Sequence, residues 1–252
     1  MFRIICRLDV KSGYVINTVN LEGLRKVGVP ADLAGNYYLQ GADELIFNDL
    51  VASLYGRNSL LDVIEQVAET IFIPLTVVGG IRSVSDARQI FNSGADKVGI
   101  NTAAVEKPEL LKDLVKEFGA QAIVASIETR KIGSEYIVLT NGGRENTGIE
   151  LNDWVSEVIE LGVGEILVTS IDKDGRRSGI DEFLLSILEK YTSLPVLLSG
   201  GLTSSKDAQM CIGSGLSGIV GAGAFHTQNL TVLELKKSLV ENGFNNLINW
   251  KT

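Results

Sequence analysis

An internal repeat constrains the fold of this chain more than any other feature of its sequence. The segment from residue 73 to residue 103 aligns without a gap with a second segment whose matching part starts at Leu194, at a constant offset of 121 positions. The aligned pairs are Pro74 and Pro195, Gly79–Gly80 and Gly200–Gly201, Asp86–Ala87 and Asp207–Ala208, and Gly94 and Gly215. A nearly equal offset of 119 aligns Arg3–Lys11 with Ala122–Arg130. The chain is therefore predicted to contain two copies of one unit of about 120 residues.

Each unit alternates short apolar, β-branched runs with longer amphipathic stretches, which is the pattern of successive βα units. The apolar runs predict eight strands, near residues 3–9, 44–49, 73–78, 97–101, 122–128, 165–170, 194–199 and 218–222. The predicted helices between them include residues 59–69, 84–93, 107–118 and 230–242. The chain is thus predicted to be one α/β domain over residues 1–252, a (βα)8 TIM barrel of two half-barrels, approximately 1–120 and 121–252. A doubly wound open sheet is the alternative, and it would need a reversal of strand order that a constant offset does not favour.

Composition excludes several classes of protein. The chain has 23 basic and 31 acidic residues, a formal net charge of −8, which argues against nucleic-acid binding. Two cysteines and a single histidine, His226, are too few for a disulfide framework or a His- and Cys-rich metal site, and we expect no metal and no cofactor. The N-terminal sequence reaches charged residues too early for a signal peptide or a membrane span, so we expect a cytoplasmic protein without membrane contact.

Glycine pairs follow equivalent strands of the two halves. Gly79–Gly80 and Gly200–Gly201 end the third strand of each half, and Asn101–Thr102 and Ala222–Gly223 end the fourth. Glycines let the backbone N–H groups approach a phosphate closely, although a single pair often does no more than turn a strand into a helix. Two equivalent pairs favour the phosphate interpretation and predict a substrate with a phosphate at each end.

Charged residues mark both ends of the predicted barrel. Asp9 and Glu128 close the first strand of each half, where paired carboxylates serve as general acid and base, although each could also be a cap or a solvated rim charge. Four residues fall at the starts of strands and are predicted to form a ring of alternating sign, which could also be a simple plug: Arg3, Glu44, Lys97 and Glu165. The unusually long connections 11–30 and 129–151 follow the same two strands as the acids, the first a candidate mobile lid and the second a small hairpin.

Several long motifs in order resemble the cyclase subunits of imidazole glycerol phosphate synthase, over essentially the whole chain. They are RIICRLDVKSG, ADELIFNDLVAS, VGGIRSVSDARQIFNSGADKVGINTAAVEKP, GEILVTSIDKDGRRSG, LLSGGL and AGAFH. The resemblance implies a barrel that uses ammonia from a glutaminase, docked on its N-terminal face, to convert a bisphosphorylated ribulosyl aminoimidazole carboxamide nucleotide into imidazole glycerol phosphate and aminoimidazole carboxamide ribotide. It implies that Asp9 and Glu128 are the acid and base and that the four-residue ring is the ammonia gate. The expected substrate and phosphate site comprises Gly80, Asn101, Thr102, Thr169, Asp174, Gly175, Gly200, Gly201, Ala222 and Gly223.

Five positions depart from the pattern of that family. Glu128 replaces an aspartate, Asn17 a lysine of the first loop, Val78 the first of three glycines, Gly223 a serine, and Arg7 a small cysteine. Because strand parity points Arg7 inward one layer beneath Asp9, our hypothesis is that Arg7 pairs with Glu128 or Asp9 and alters the electrostatics of the mouth. Two alternatives therefore remain: a paralogous ammonia-channel subunit that serves an amidotransferase of surface-sugar modification, with weak or no cyclase activity, and an isomerase of the sister type.

Overall fold

The computed structural model describes residues 1–50, 58–227 and 229–246. Within them, eight parallel strands form a closed barrel and four further strands form two hairpins. The strands are β1 (Arg3–Lys11), β2 (Tyr14–Val19), β3 (Glu22–Gly28), β4 (Glu44–Asp49), β5 (Leu75–Val78), β6 (Lys97–Ile100), β7 (Ile123–Ile132), β8 (Glu135–Thr140), β9 (Glu145–Glu150), β10 (Glu165–Ser170), β11 (Val196–Ser199) and β12 (Gly218–Gly221). The helices are α1 (Pro30–Leu39), α2 (Asn58–Thr70), α3 (Val84–Asn92), α4 (Thr102–Glu106), α5 (Glu109–Phe118), α6 (Leu151–Glu160), α7 (Glu182–Leu188), α8 (Ser205–Gly213), α9 (Gly223–His226) and α10 (Val232–Glu241).

Parallel pairing closes the sheet on itself. The strand order is β1, β4, β5, β6, β7, β10, β11 and β12, and β12 pairs again with β1 through Arg3 and Gly218. An open doubly wound sheet has two unpaired edges, whereas each of these eight strands has a parallel partner on both sides. The (βα)8 barrel predicted from the repeat is therefore confirmed.

Side chains alternate between the barrel interior and the helix layer, as expected for β-strands. One buried interior layer is apolar and consists of Ile5, Ile46, Val78, Val124, Leu167, Leu197 and Val220. The outward side chains of the same strands pack against the helices in a much larger core. The Val78 side chain lies against Gly99 of β6. A Cβ atom added to Gly99 would lie only 2.7 Å from Val78 Cγ2, so this layer has no room for a larger residue at position 99.

The two halves repeat their backbone geometry as well as their sequence. Gly79 and Gly200 have φ angles of +102° and +101°, in the left-handed region that favours glycine. A Cβ atom on either glycine would meet the carbonyl oxygen that ends the neighbouring strand, Asp49 O at 2.5 Å and Ser170 O at 2.7 Å. Glycine is therefore required at both turns by close backbone approach, which is one reason why the pairs stand at equivalent positions.

Two predicted segments differ from the structure. The helix expected over 107–118 is α5, which begins two residues later, at Glu109, because Lys107 adopts φ −146° and ψ 84° ahead of Pro108, a conformation typical of a residue before proline. The connection 11–30 is an ordered antiparallel hairpin, β2–β3, continuing from β1, and the expected second hairpin, β8–β9, continues in the same way from β7. Residues 51–53 of the ADELIFNDLVAS motif lie outside the described residues.

Candidate active site at the carboxyl end of the barrel

Asp9 and Glu128 lie on opposite sides of the barrel mouth. Asp9 is on β1 and Glu128 is on β7, and the two strands are four positions apart in either direction around the barrel. Both residues have the inward parity of their strands and lie above the apolar interior layer. The two acids predicted from the repeat therefore face one space from opposite walls.

Asp9 is completely buried and held by nitrogen donors. Arg7 donates to Asp9 Oδ2 through Nε at 3.1 Å and through Nη2 at 3.0 Å. Asn48, the neighbour of Asp9 on β4, donates from Nδ2 to Asp9 Oδ1 at 2.7 Å. Burial raises the pKa of Asp9, while the positive charge of Arg7 and the hydrogen bond from Asn48 act in the opposite direction.

Arg7 connects Asp9 to the far side of the mouth. Beyond its contacts with Asp9, its Nη2 donates to Asp174 Oδ1 at 2.6 Å and its Nη1 donates to Ser199 Oγ at 2.9 Å. The side chain is only 3% exposed. Burial acts to lower the pKa of Arg7, but the two carboxylates outweigh it and raise the pKa, so the guanidinium stays charged. The ion pair predicted for Arg7 forms with Asp9 and with Asp174, not with Glu128.

Glu128 has no comparable partner in the part of the chain that the structure describes. Its Oε2 atom is buried and accepts no hydrogen bond from any residue that the structure describes. Burial raises the pKa of Glu128 to about 7, with smaller opposing effects from the Gly143 backbone and from Arg7. Within the described parts of the chain, equivalent positions of the repeat thus carry one carboxyl group in an ion pair and one without a cation in contact.

The phosphate cradle expected in the second half lines a cavity beside Arg7. Gly200, Gly201, Ala222 and Gly223 line this cavity, and Arg7, Ser199 and Arg177 contribute polar side chains to it. Two of the departures from the family pattern touch each other here, because a Cβ atom on Gly223 would lie 2.8 Å from Asn17 Oδ1. A serine at position 223 would therefore require the Asn17 side chain to move.

The corresponding cradle of the first half lies beneath the β8–β9 hairpin. Gly80 has a φ of +71° and Asn101 precedes α4, as Ala222 precedes α9 in the other half. Asn101 donates from Nδ2 to the carbonyl oxygen of Leu139, while its buried Oδ1 accepts no hydrogen bond from the described part of the chain. Thr102 Oγ1 accepts a hydrogen bond from the Asn141 amide.

Asp174 and Gly175 hold the β2–β3 hairpin over the mouth. Asp174 Oδ2 accepts from Thr18 Oγ1 at 3.1 Å and from the Leu21 amide at 2.9 Å, and its other oxygen accepts from Arg7. A Cβ atom on Gly175 would lie 2.0 Å from the carbonyl oxygen of Thr18. Both residues are predicted at the phosphate site and both line the cavity beside Arg7, where the Asp174 carboxylate is engaged by the hairpin and by Arg7. Thr169, on β10, is buried beside Glu128 in the strand register.

At the opposite end of the barrel, four charges form a closed ring of alternating sign. Arg3 binds Glu44 at 2.7 Å and also Glu165, and Lys97 binds Glu44 at 3.1 Å and Glu165 at 2.7 Å. Both glutamates are buried, and Thr76 Oγ1 donates to Glu44 Oε1 at 2.7 Å. Each carboxylate therefore has two cationic partners.

His226, the last residue of α9, packs against Tyr37 of α1. Its Nδ1 lies 2.6 Å from the hydroxyl of Tyr37, and the two rings stack at 5.9 Å. Burial lowers its pKa to about 4, so the imidazole is neutral at pH 7. The described residues contain no group of three His, Cys, Asp or Glu side chains that would hold a metal, and both cysteines are buried and free. Among these residues no helix is both long enough and apolar enough to cross a membrane.

Asn48, Ser199 and Thr18 are site residues that the sequence did not single out. Asn48 and Ser199 have the same inward parity as Asp9 and Thr169, and this parity was the available signal. Thr18 carries no such signal, because its position over the mouth depends on the fold of the hairpin.

Comparison with known proteins agrees with this architecture. The model of the family described as "Histidine biosynthesis protein" matches residues 3–231. Imidazole glycerol phosphate synthase subunit HisF of Natranaerobius thermophilus is 45% identical over 242 residues, 96% of both chains. The HisF of Sulfolobus acidocaldarius is 44% identical over 241 residues, again 96% of both chains, and that of Legionella pneumophila is 50% identical over 201 residues, 79% of this chain and 95% of its own. The chain is a duplicated barrel with one acid from each half at its mouth, and these proteins match it over almost its whole length. It therefore belongs to the HisF family of imidazole glycerol phosphate synthase subunits.

Proposed function

We propose that this chain is the cyclase subunit of an imidazole glycerol phosphate synthase. It would use ammonia to convert a bisphosphorylated ribulosyl aminoimidazole carboxamide nucleotide into imidazole glycerol phosphate and aminoimidazole carboxamide ribotide. The observation that carries the proposal is the placement of Asp9 and Glu128 on opposite walls of one mouth, between two equivalent glycine turns. HisF relatives at 44–45% identity over 96% of the chain support the same reaction.

The two acids supply the proton transfers that such a reaction needs. Addition of ammonia to an electrophilic carbon requires a base that takes a proton from nitrogen and an acid that protonates the departing oxygen. One buried carboxylate in contact with a cation and one partly buried carboxyl group with a pKa of about 7 are suited to these separate roles. Exclusion of water from the mouth favours ammonia as the nucleophile.

The glycine turns would hold the two ends of the substrate. Gly80 in the first half and Gly200 and Gly201 in the second have positive φ angles, which turn backbone groups toward the mouth without a Cβ atom in the way. Two phosphates held on opposite sides would position the reacting carbons between the acids. Because Thr18 contacts Asp174 above the buried Asp9, the β2–β3 hairpin must lift for the substrate to enter.

Turnover with ammonium salt tests the cyclase activity directly. The purified chain is mixed with the bisphosphate and millimolar ammonium at pH 8, and substrate absorbance is followed; we expect consumption that Asp9→Asn abolishes. Growth of a histidine auxotroph that lacks its own cyclase subunit tests the same activity in cells. Absence of both, with the fold intact by circular dichroism, would contradict the cyclase assignment and favour the channel-subunit alternative.

A glutaminase subunit would dock on the N-terminal face of the barrel. Three exposed apolar side chains lie at this end, before β1, β4 and β5: Met1 is 80% exposed, Leu39 82% and Phe72 81%. Exposed apolar side chains grouped at one end of a protein mark an interaction surface. Ammonia released there would meet the ring of Arg3, Glu44, Lys97 and Glu165, which we propose is the gate to the barrel interior. We place the complex in the cytoplasm, where thiols such as Cys6 and Cys211 stay reduced.

A pair of phenylalanine variants tests the docking face. Phe72→Asp puts a charge on the N-terminal face and is expected to weaken glutaminase binding at least about tenfold in calorimetric titration. Phe183→Asp is the matched control, because Phe183 is similarly exposed, at 70%, but lies at the start of α7 at the opposite end of the barrel. Equal weakening by both variants, or by neither, would place the partner elsewhere.

A further inference from the structure

Three carboxyl groups at the mouth share one buried cation. Asp9 and Asp174 both contact Arg7, whereas Glu128 contacts no cation among the described residues. Arg7 and Asp174 lie close enough to both Asp9 and Glu128 to interact with them electrostatically. One positive charge cannot neutralise the two buried charges of Asp9 and Asp174 and the partly buried charge of Glu128, so the cluster is most stable when it retains a proton.

The hydrogen bonds of the cluster indicate that this proton is on neither Asp9 nor Asp174. Both oxygens of Asp9 accept hydrogen bonds from N–H donors, Oδ2 from two nitrogens of Arg7 and Oδ1 from Asn48. Asp174 likewise accepts from Arg7, from the Thr18 hydroxyl and from the Leu21 amide. A carboxyl group surrounded by donors is bound in its ionised, acceptor-only form. Glu128 is the remaining member of the cluster, and its buried Oε2 is the atom free to carry a hydrogen.

We propose that Arg7 is a positioning residue that divides the roles of the two acids, holding Asp9 as the proton acceptor and leaving Glu128 as the proton donor. This division of roles rests on the proposed cyclase function. The protonation states that it requires, an ionised Asp9 and a protonated Glu128, can be measured without that function. Asp9 Oδ1 accepts one hydrogen bond, from Asn48, and retains an acceptor position for a proton from the substrate nitrogen. Glu128 supplies a proton to the substrate oxygen, and exchange with water restores both acids after each turnover. Arg7 itself contacts no reacting atom in this scheme.

Carbon-13 NMR of carboxyl-labelled Asp and Glu tests the protonation states without any turnover. Signals are assigned with Asp9→Asn and Glu128→Gln, and the protein is titrated from pH 4 to pH 9. We expect Asp9 to be ionised at pH 7 and Glu128 to titrate near neutral pH. Arg7→Met removes the cation at similar length and is expected to raise the titration midpoint of Asp9 by at least about one pH unit. Arg7→Lys keeps a charge and is expected to return most of that shift.

The control removes another arginine from the same cavity. Arg177 lines the cavity with Arg7 but has no ion pair with the acids among the described residues, so Arg177→Met is expected to leave the Asp9 midpoint unchanged. The charged and polar groups that face Asp9 are Arg7 on its own strand, Asn48 on β4, Thr18 on β2 and Asp174 after β10, and they are unchanged in this control.

Distinct outcomes separate this proposal from the proposed function. An Asp9 that is neutral at pH 7, or a midpoint that Arg7→Met leaves in place, overturns the role of Arg7 even if the enzyme turns over. If the wild-type chain shows no turnover but Asp9 and Glu128 titrate as expected, the cyclase function is contradicted and the protonation states assigned to the two acids still hold. If Arg7→Met does not fold, Arg7→Gln, which removes the charge but keeps a hydrogen-bond donor, decides: a rise of the Asp9 midpoint by at least about half a pH unit supports the proposal, and a smaller change overturns it. In an active enzyme, Arg7→Met is also expected to shift the lower limb of the kcat/KM pH profile upward by about one unit, while a purely structural loss would lower kcat/KM at every pH.

Discussion

Glu128 shows how one residue can make a site sensitive to pH. Its pKa is raised to about 7 because burial penalises the charged form and no cation contacts it among the described residues. The folded state therefore binds this proton more tightly than the unfolded state, in which a glutamate titrates near 4.5. As the pH rises from about 4.5 to about 7, the unfolded chain loses the proton first, and the folded protein loses stability.

Glu128→Gln is expected to remove this part of the pH dependence. From pH 5 to pH 8, the wild type should lose on the order of 3 kcal/mol of unfolding free energy through this residue, a loss that the variant lacks. Urea denaturation of both proteins at the two pH values measures the difference. Glu145→Gln, which removes an exposed carboxyl group from β9, is the control for charge loss alone. Parallel pH dependence in wild type and Glu128→Gln would show that Glu128 is not the titrating group.

The difference between Asp9 and Glu128 is what the sequence could not predict. The repeat identified both acids as equivalent, and strand parity pointed Arg7 toward them. Which acid Arg7 binds depends on Asp174, whose contact with Arg7 joins residues 167 positions apart, and on Ser199, 192 positions away. Local patterns contain no information about contacts at that distance. That Asp174 belongs to the phosphate site stays a prediction, and its contact with Arg7 was not foreseen for the same reason.

At the scale of elements, the β2–β3 hairpin is held in place by the loop that follows β10, and we call the contacts between the two the clasp. The Asn20 amide donates to the carbonyl oxygen of Asp174, and Arg176 donates to the side chain of Asn20. Leu21 packs with Leu139 and Ile171 in a small buried cluster above the mouth. The hairpin from the first half of the chain is thus held by loops of the second half.

Substitution of Gly175 by alanine tests the clasp. The new methyl group would lie 2.0 Å from Thr18 O and 2.7 Å from Val19 Cα, so the hairpin must move away. Gly142 has the same φ of +68°, and a methyl group added there would meet no atom within 4 Å, so Gly142→Ala shares the backbone strain but not the collision. We expect hydrogen exchange of residues 14–28 to become at least about tenfold faster in Gly175→Ala than in Gly142→Ala. Equal exchange in the two variants would show that the clasp does not hold the hairpin.

Regular elements were more predictable than irregular ones. Six of the eight predicted strands begin within one residue of the observed start, and the other two begin two residues late because Pro74 and Pro195 precede them without an N–H for the ladder. The helix boundary at Pro108 was missed, although a proline inside an amphipathic pattern is a recognised signal for it. The first hairpin was expected only as a connection, because its polar residues obscure the alternation of a strand.

At the scale of the molecule, the charge ring ties four barrel strands together at one end. Arg3, Glu44, Lys97 and Glu165 come from β1, β4, β6 and β10. The division into half-barrels near residues 1–120 and 121–252 stays a prediction. Three members of the ring lie in the first of these halves, and Glu165 joins them from the second. Loss of one cation leaves each buried glutamate with a single partner.

Lys97→Met is expected to lower the unfolding free energy by about 2 kcal/mol, the cost of removing one partner from buried carboxylates. Lys112→Met is the matched control, because Lys112 lies 3.8 Å from Glu109 with both side chains about two-thirds exposed. Exposed pairs of this kind contribute little, so the control is expected to change stability by less than about 0.5 kcal/mol. Urea denaturation at low salt compares the two; equal losses would mean that burial of the ring adds nothing.

The pairing of β1 with β12 has a consequence for biosynthesis. While the chain is made, one edge of its first strand lacks a neighbour until Gly218 has left the ribosome, and Arg7 lacks Asp174 and Ser199 for most of that time. The nascent protein therefore exposes a long apolar strand edge beside a cation that has only Asp9 to compensate it. Such a chain is expected to rely on chaperones until its final strand emerges, and slow translation of the last segment would lengthen that period of risk.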